Sequence, residues 1–190
     1  ADPRSIKEFF DTQKTAFDNS IQDIEKLGKK EIEKMQSIAA DKKAILDSEH
    51  QAGLVSTEEY NGQLMVLLKS SEDAQIARIR EDNREVQRIY AERIDIVKGM
   101  IAKVEATPAK SKEAVNAKDN NIKQLKTELD DLTSAAKTGA EIAGAAIDKL
   151  TSRYDKDLQV AINKNLGSLK KLREEDDKFW KDQTDELAKA

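Results

Sequence analysis

Across 190 residues this chain holds only two prolines and seven glycines, so it has few places at which to turn. Nearly everything between those points favours helix, and the apolar residues recur at three, four or seven positions, the period of a helical stripe. Hydrophobic residues make up 38% of the chain and charged ones 37%, too little apolar material for a thick, many-layered interior. Narrow stripes on long helices are the arrangement such a composition can fill. The expected fold is all-α: an elongated antiparallel bundle of three to four long helices with coiled-coil-like packing, one domain over residues 5–190.

The turn signals divide the chain into helices over about 5–52, 56–106 and 108–190. Ser5 and Glu8 have capping-box spacing and start the first helix, whose stripe runs through Phe10, Phe17, Ile21, Ile24, Ile32, Met35, Ile38 and Ile45. Gly53 suits a left-handed helix end, Leu54 is placed to fold back on the helix before it, and Ser56 with Glu59 forms a second capping box. The second helix follows Leu64, Leu67, Leu68, Ile76, Ile79, Val86, Tyr90, Ile96, Val97 and Val104, with thin packing expected where Arg78 to Glu85 crowd its middle. Thr107-Pro108 ends it, and Pro108 suits the first position of the next helix.

The most regular spacing lies in the last helix. Ile122, Leu125, Leu129, Leu132, Ala136, Gly139, Ala143, Ala146 and Leu150 alternate steps of three and four, a heptad packing seam. Its Ala/Gly centre admits a close neighbour or weakens the helix, so a break near 138–144 is one expectation. Unbroken, this helix would measure about 120 Å against about 70–75 Å for the other two, and would project past them. The opening residues 1–4, without an initiating Met, read as a disordered, processed or vector-derived end, and a cleaved secretion signal would explain them.

The absence of Cys removes thiolate chemistry and disulfides, and the one His removes imidazole clusters. No cofactor is implied. Asp47 and His50 share the carboxylate-x-x-His spacing of helical metal ligands, but a second His is missing, so a solvent-exposed His50 at a helix end is the expectation and metal ligation is not. Acidic pairs such as Glu58-Glu59 and Asp176-Asp177 read as solvated helix faces, because neighbours in a helix do not face each other. A net charge of −4 argues against nucleic acid as a partner, and no window is apolar enough for a transmembrane segment. These exclusions point to a non-enzymatic protein. The absence of Cys and of a glycosylation sequon leaves a secreted location open.

The rare aromatics concentrate near the chain ends, with Phe9, Phe10 and Phe17 at one and Phe179-Trp180 at the other. The favoured reading is a core plug; the competing one makes Phe9, Phe10, Phe179 and Trp180 an interaction surface for a protein or lipid partner. The function expected is a binding or scaffold protein acting through protein contact or self-association, with the Ile122–Leu150 seam as one association face. The alternative is an amphipathic bundle that opens on a lipid surface or holds a fatty acid between its helices.

Overall fold

The structure, a computed structural model, describes residues 3–189, with the side chains of 3–7, 165–170 and 172 outside the description. It is an all-α helical bundle of three helices, α1 (Pro3–Gln51), α2 (Thr57–Ala106) and α3 (Lys112–Lys189). Pro3 and Arg4, expected outside the fold, already belong to α1, since proline's fixed φ suits a first helical turn. Ser5 is therefore inside the helix and not its cap; its side chain lies outside the described residues.

The two turns are built by different devices. Gly53 adopts φ 74°, and the amides of Gly53 and Leu54 donate to the carbonyls of His50 (3.1 Å) and Glu49 (2.9 Å), closing α1 with a Schellman motif. The Leu54 side chain is 75% exposed, so it does not make the buried fold-back contact expected of it. Ser56 then caps α2: the Glu59 amide donates to its Oγ at 3.1 Å, and its own amide donates to the Glu59 carboxylate at 3.4 Å.

The second turn departs from the sequence expectation. Pro108 does not open α3, because the Thr107 hydroxyl turns back to donate to Lys103 O (2.8 Å) and leaves Pro108 uncapped. Ser111 supplies the cap instead, its Oγ accepting from the Ala114 amide at 3.1 Å. Lys118 Nζ reaches the orphan carbonyls of Glu105 (2.7 Å) and Thr107 (2.9 Å), closing α2 with a cation where its dipole favours one.

From Lys112 α3 runs without a break through Gly139 and Gly144. The small residues there have a packing role. The Gln87 side-chain amide donates to Ala136 O at 2.8 Å, and a Cβ on Gly139 would stand 3.7 Å from Gln87 Nε2. Larger side chains would keep Gln87 off that carbonyl.

The chain divides into two compact units, one formed by Ala1–Lys34 with Gln75–Asp148 and the other by Met35–Ala74 with Lys149–Ala190. The core of the first joins Phe10, Val97, Leu125 and Leu132, with Phe17, Tyr90 and Leu129 packed around them. Arg93 is buried in it, its guanidinium 4.9 Å from the Phe17 ring and 5.9 Å from the Phe10 ring, with Nη2 3.5 Å from Phe10 O and 3.8 Å from Glu128. Aromatic faces thus take the place of water around a charge, a contact that contributes about 0.5–2 kcal/mol. Farther along, Arg78 of α2 pairs with Glu31 of α1 (3.0 Å) and with Asp82 (3.1 Å), whose carboxylate sits where Gly28 leaves room. The polar middle expected of α2 is therefore packed by ion pairs in place of apolar side chains.

The second unit centres on Leu46 and Leu64, 6% and 3% exposed. Lys69 joins α2 to α3 by lying 5.6 Å from the Tyr154 ring centroid, and it also pairs with Asp73 at 2.9 Å.

Candidate interaction surface

In the second unit α3 continues past the α1–α2 turn. Lys164 still lines a cavity with His50 and Tyr60. Every described side chain from Ile162 onward is exposed. Most helical stability comes from packing an apolar face, so an exposed helix end needs support along its own surface. This one places Glu174/Lys178 and Asp177/Lys181 at the favourable i,i+4 spacing. Beyond Ile162, itself 38% exposed, its described residues include Phe179 (55%), Trp180 (62%) and Leu187 (78%), all large, apolar and exposed.

The four aromatic candidates therefore divide. Phe10 is 9% exposed and belongs to the first unit's core, as the plug reading expects of it, whereas Phe9 is 42% exposed and meets Phe10 edge-on at 5.7 Å. Phe179 and Trp180 touch each other edge-on at 5.6 Å and are open to solvent, which removes them from any plug. The seam is consumed inside the bundle: Leu125 and Leu132 are buried, and Ile122, Leu129, Ala136, Gly139, Ala143 and Leu150 are half-buried.

A second exposed apolar feature lies on the α1–α2 side of the same unit. Lys42 of α1 and Gly62, Gln63, Val66, Leu67 and Ser70 of α2 line a groove of about 360 Å³ to which α3 contributes no residue. Ile38 and Ile45, one turn to either side of Lys42, are 46% and 60% exposed, and Val66 is 69% exposed. Ile38 and Ile45 were expected in the α1 core stripe; Ala39 and Leu46 occupy those inward positions instead. Gly62 leaves open space, since nothing lies within 4 Å of where its Cβ would stand.

At the α1–α2 turn a titratable cluster forms. The Tyr60 hydroxyl donates to Asp47 Oδ1 at 2.5 Å and Lys43 Nζ to Asp47 Oδ2 at 2.8 Å. These two bonds, Lys43 first, hold the Asp47 carboxyl below its ordinary value, while burial and the Asp47 charge push the Tyr60 phenol up to about 12. His50 stacks on Tyr60 with centroids 4.4 Å apart and lies 3.1 Å from Thr57 Oγ1, so it is half-buried and engaged, not the solvent-exposed residue expected. Asp47 and His50 thus serve the turn. Among the described residues no group of three or more His, Cys, Asp or Glu is placed to hold a metal ion, and no helix is long and apolar enough to cross a membrane. Compared with protein-family models, curated proteins and solved structures, the chain matches none.

Proposed function

We propose that this is a non-enzymatic binding or scaffold protein that acts by protein contact through the exposed end of α3. One observation carries the reading: from Arg173 to Lys189 every side chain of α3 is exposed, and Phe179, Trp180 and Leu187 are among them. Exposed aromatics paired on one helix are the residues from which interface anchors are made, and the ordering of such a helix is offset when a partner buries them. The experiment is the double substitution Phe179→Ser/Trp180→Ser. The reading expects an unchanged melting temperature and helix content, because these side chains stabilise no core. A drop of several degrees that persists on dilution, where no association contributes, would assign them to the bundle interior and sink the proposal.

A second reading, lipid or fatty-acid binding, is favoured by a different feature. A cavity of about 510 Å³ in the second unit has an apolar wall of Leu64, Leu68, Val160 and Ala161 and a polar end with Lys43, Asp47 and Lys164. It predicts that fatty acids or anionic vesicles raise the melting temperature or change the circular dichroism. An inert response in both would remove it.

A further inference from the structure

We infer that the partner of the exposed α3 end is a second copy of this chain, whose α1–α2 groove receives the Phe179–Leu187 helix while its own α3 end fills the groove of the first. The inference rests on the protein-contact reading above and names its partner. It starts from two features of one unit that each lack what the other has. The groove lined by Lys42, Gly62, Val66 and Ser70 is open, apolar at its rim and free of α3 residues. From Arg173 to Lys189 every side chain of α3 is exposed, and Phe179, Trp180 and Leu187 make part of that surface apolar.

Their dimensions agree. From Phe179 to Leu187 is about 12 Å along a helix, and from Gly62 to Ser70 is the same eight-residue span, about 12 Å. A helix laid between two others needs small residues where it approaches, and Gly62 and Ser70 line the groove beside Val66, while exposed Ile38 and Ile45 lie one turn to either side of Lys42 on α1. Charge agrees as well. Between Glu174 and Leu187 there are seven acids against two lysines, whereas the one charged residue lining the groove is Lys42, which makes no ion pair among the described residues. Asp182, Asp185 and Glu186 flank the apolar anchors and would stand beside that cation.

The chain's own helix does not reach this groove. It passes the α1–α2 turn beside His50 and Tyr60 and continues as unbroken helix to Lys189, so folding back would require breaking it. Two copies set turn to turn solve the problem by symmetry. Lys164 lies level with the turn, and Phe179 lies about 22 Å beyond it, while Ile45 and Ile38 lie about 9 and 20 Å before Gln51 in the facing copy. Each α3 end then runs antiparallel to its partner's α1, with Phe179 and Trp180 near Gly62 and Leu187 near Ser70. The contact is isologous, so two grooves are filled at once and the second docking is intramolecular.

Trp180 is the chain's single tryptophan and reports docking directly. Sedimentation velocity and tryptophan emission are followed over a concentration series for the full chain, for Val66→Asp and for Phe179→Asp. Wild type is expected to double in mass with a blue shift of Trp180, and each variant to dimerise at least about tenfold more weakly at unchanged helix content. Because Val66→Asp spoils only the groove and Phe179→Asp only the helix, mixing them should restore a heterodimer holding one contact. A wild type that stays monomeric with solvent-quenched Trp180 overturns self-docking but leaves the protein-contact reading standing; Trp180 shielded in the monomer overturns both. Dimerisation unaffected by Val66→Asp would also refute the assignment, since the groove would then be unused.

Discussion

Replacing Tyr60 by Phe removes one hydroxyl and leaves the ring that stacks on His50, so it isolates the bond to Asp47. A hydrogen bond to a charged acceptor contributes about 1.5–3 kcal/mol when buried. The Asp47 side chain is 35% exposed and keeps Lys43 at 2.8 Å, so solvent screening reduces the expected loss to about 1 kcal/mol. In a chain of this length that is about 2–4 °C in melting temperature. The pH dependence follows from the directions of the two shifts. The folded chain holds the Tyr60 proton up to about 12, whereas the unfolded chain releases it near 10.0, so the stabilisation is complete below the unfolded value and is lost as pH rises from there to about 12. For Asp47 the folded value lies below 3.8, so its contribution is present above 3.8 and is lost as pH falls through the depressed value. Unfolding of wild type and Tyr60→Phe in parallel should give a gap that is constant near neutrality and closes at both flanks. No gap at neutral pH, or one that widens between pH 10 and 12, refutes the reasoning.

Three further outcomes are expected. Leu125, fully buried, should cost about 2–5 kcal/mol on truncation to Ala in denaturant unfolding, while Leu187→Ala, at 78% exposure, should stay within about 0.5 kcal/mol of wild type at low protein concentration. Gly53→Ala places a Cβ at φ 74° and should destabilise by about 1–2 kcal/mol, with Gly53→Asn milder, as melting curves would register. Gly28→Ala should add up to about 1 kcal/mol of helix propensity only when Asp82 is also Ala, because in wild type the new Cβ would stand 1.9 Å from Asp82 Oδ2 and displace it; a double-mutant cycle without that coupling would contradict the close approach.

The helices themselves were legible because their punctuation is chemical. Gly53 and the Ser56/Glu59 box announce a turn by conformational freedom and by donor–acceptor reach, and both act as the sequence implies. Pro108 suits a first helical turn, but Thr107 before it spends its hydroxyl on Lys103 O, and Ser111, four residues after Thr107, supplies the cap instead. On α3 the buried Leu125 and Leu132, seven positions apart, lie on the seam that the spacing marks, but the buried residue one turn before Leu125 is Asn121 and not Ile122, a polar side chain that a search for apolar periodicity passes over. The α1 seam was not. It passes Ile21, Gly28 and Met35, and again Ile32, Ala39 and Leu46, so a glycine and an alanine sit where a search for large apolar residues finds nothing.

That substitution of small and charged residues into inward positions also explains the surface. Leu27 precedes buried Gly28, Ile38 precedes Ala39, Ile45 precedes Leu46 and Ile96 precedes fully buried Val97, and each of the four leading residues is exposed. One residue along a helix is a rotation of about 100°, so a seam shifted by one position turns a large apolar side chain from the interior to the flank. The interior loses little, because Arg78 with Asp82 and Glu31, and Arg93 among Phe10 and Phe17, fill it with paired charge. What it displaces is apolar area, and in the second unit that area includes Ile38 and Ile45 on α1, with Val66 exposed on α2. Those three, together with Phe179 and Trp180, are the apolar area that the proposed contact would bury.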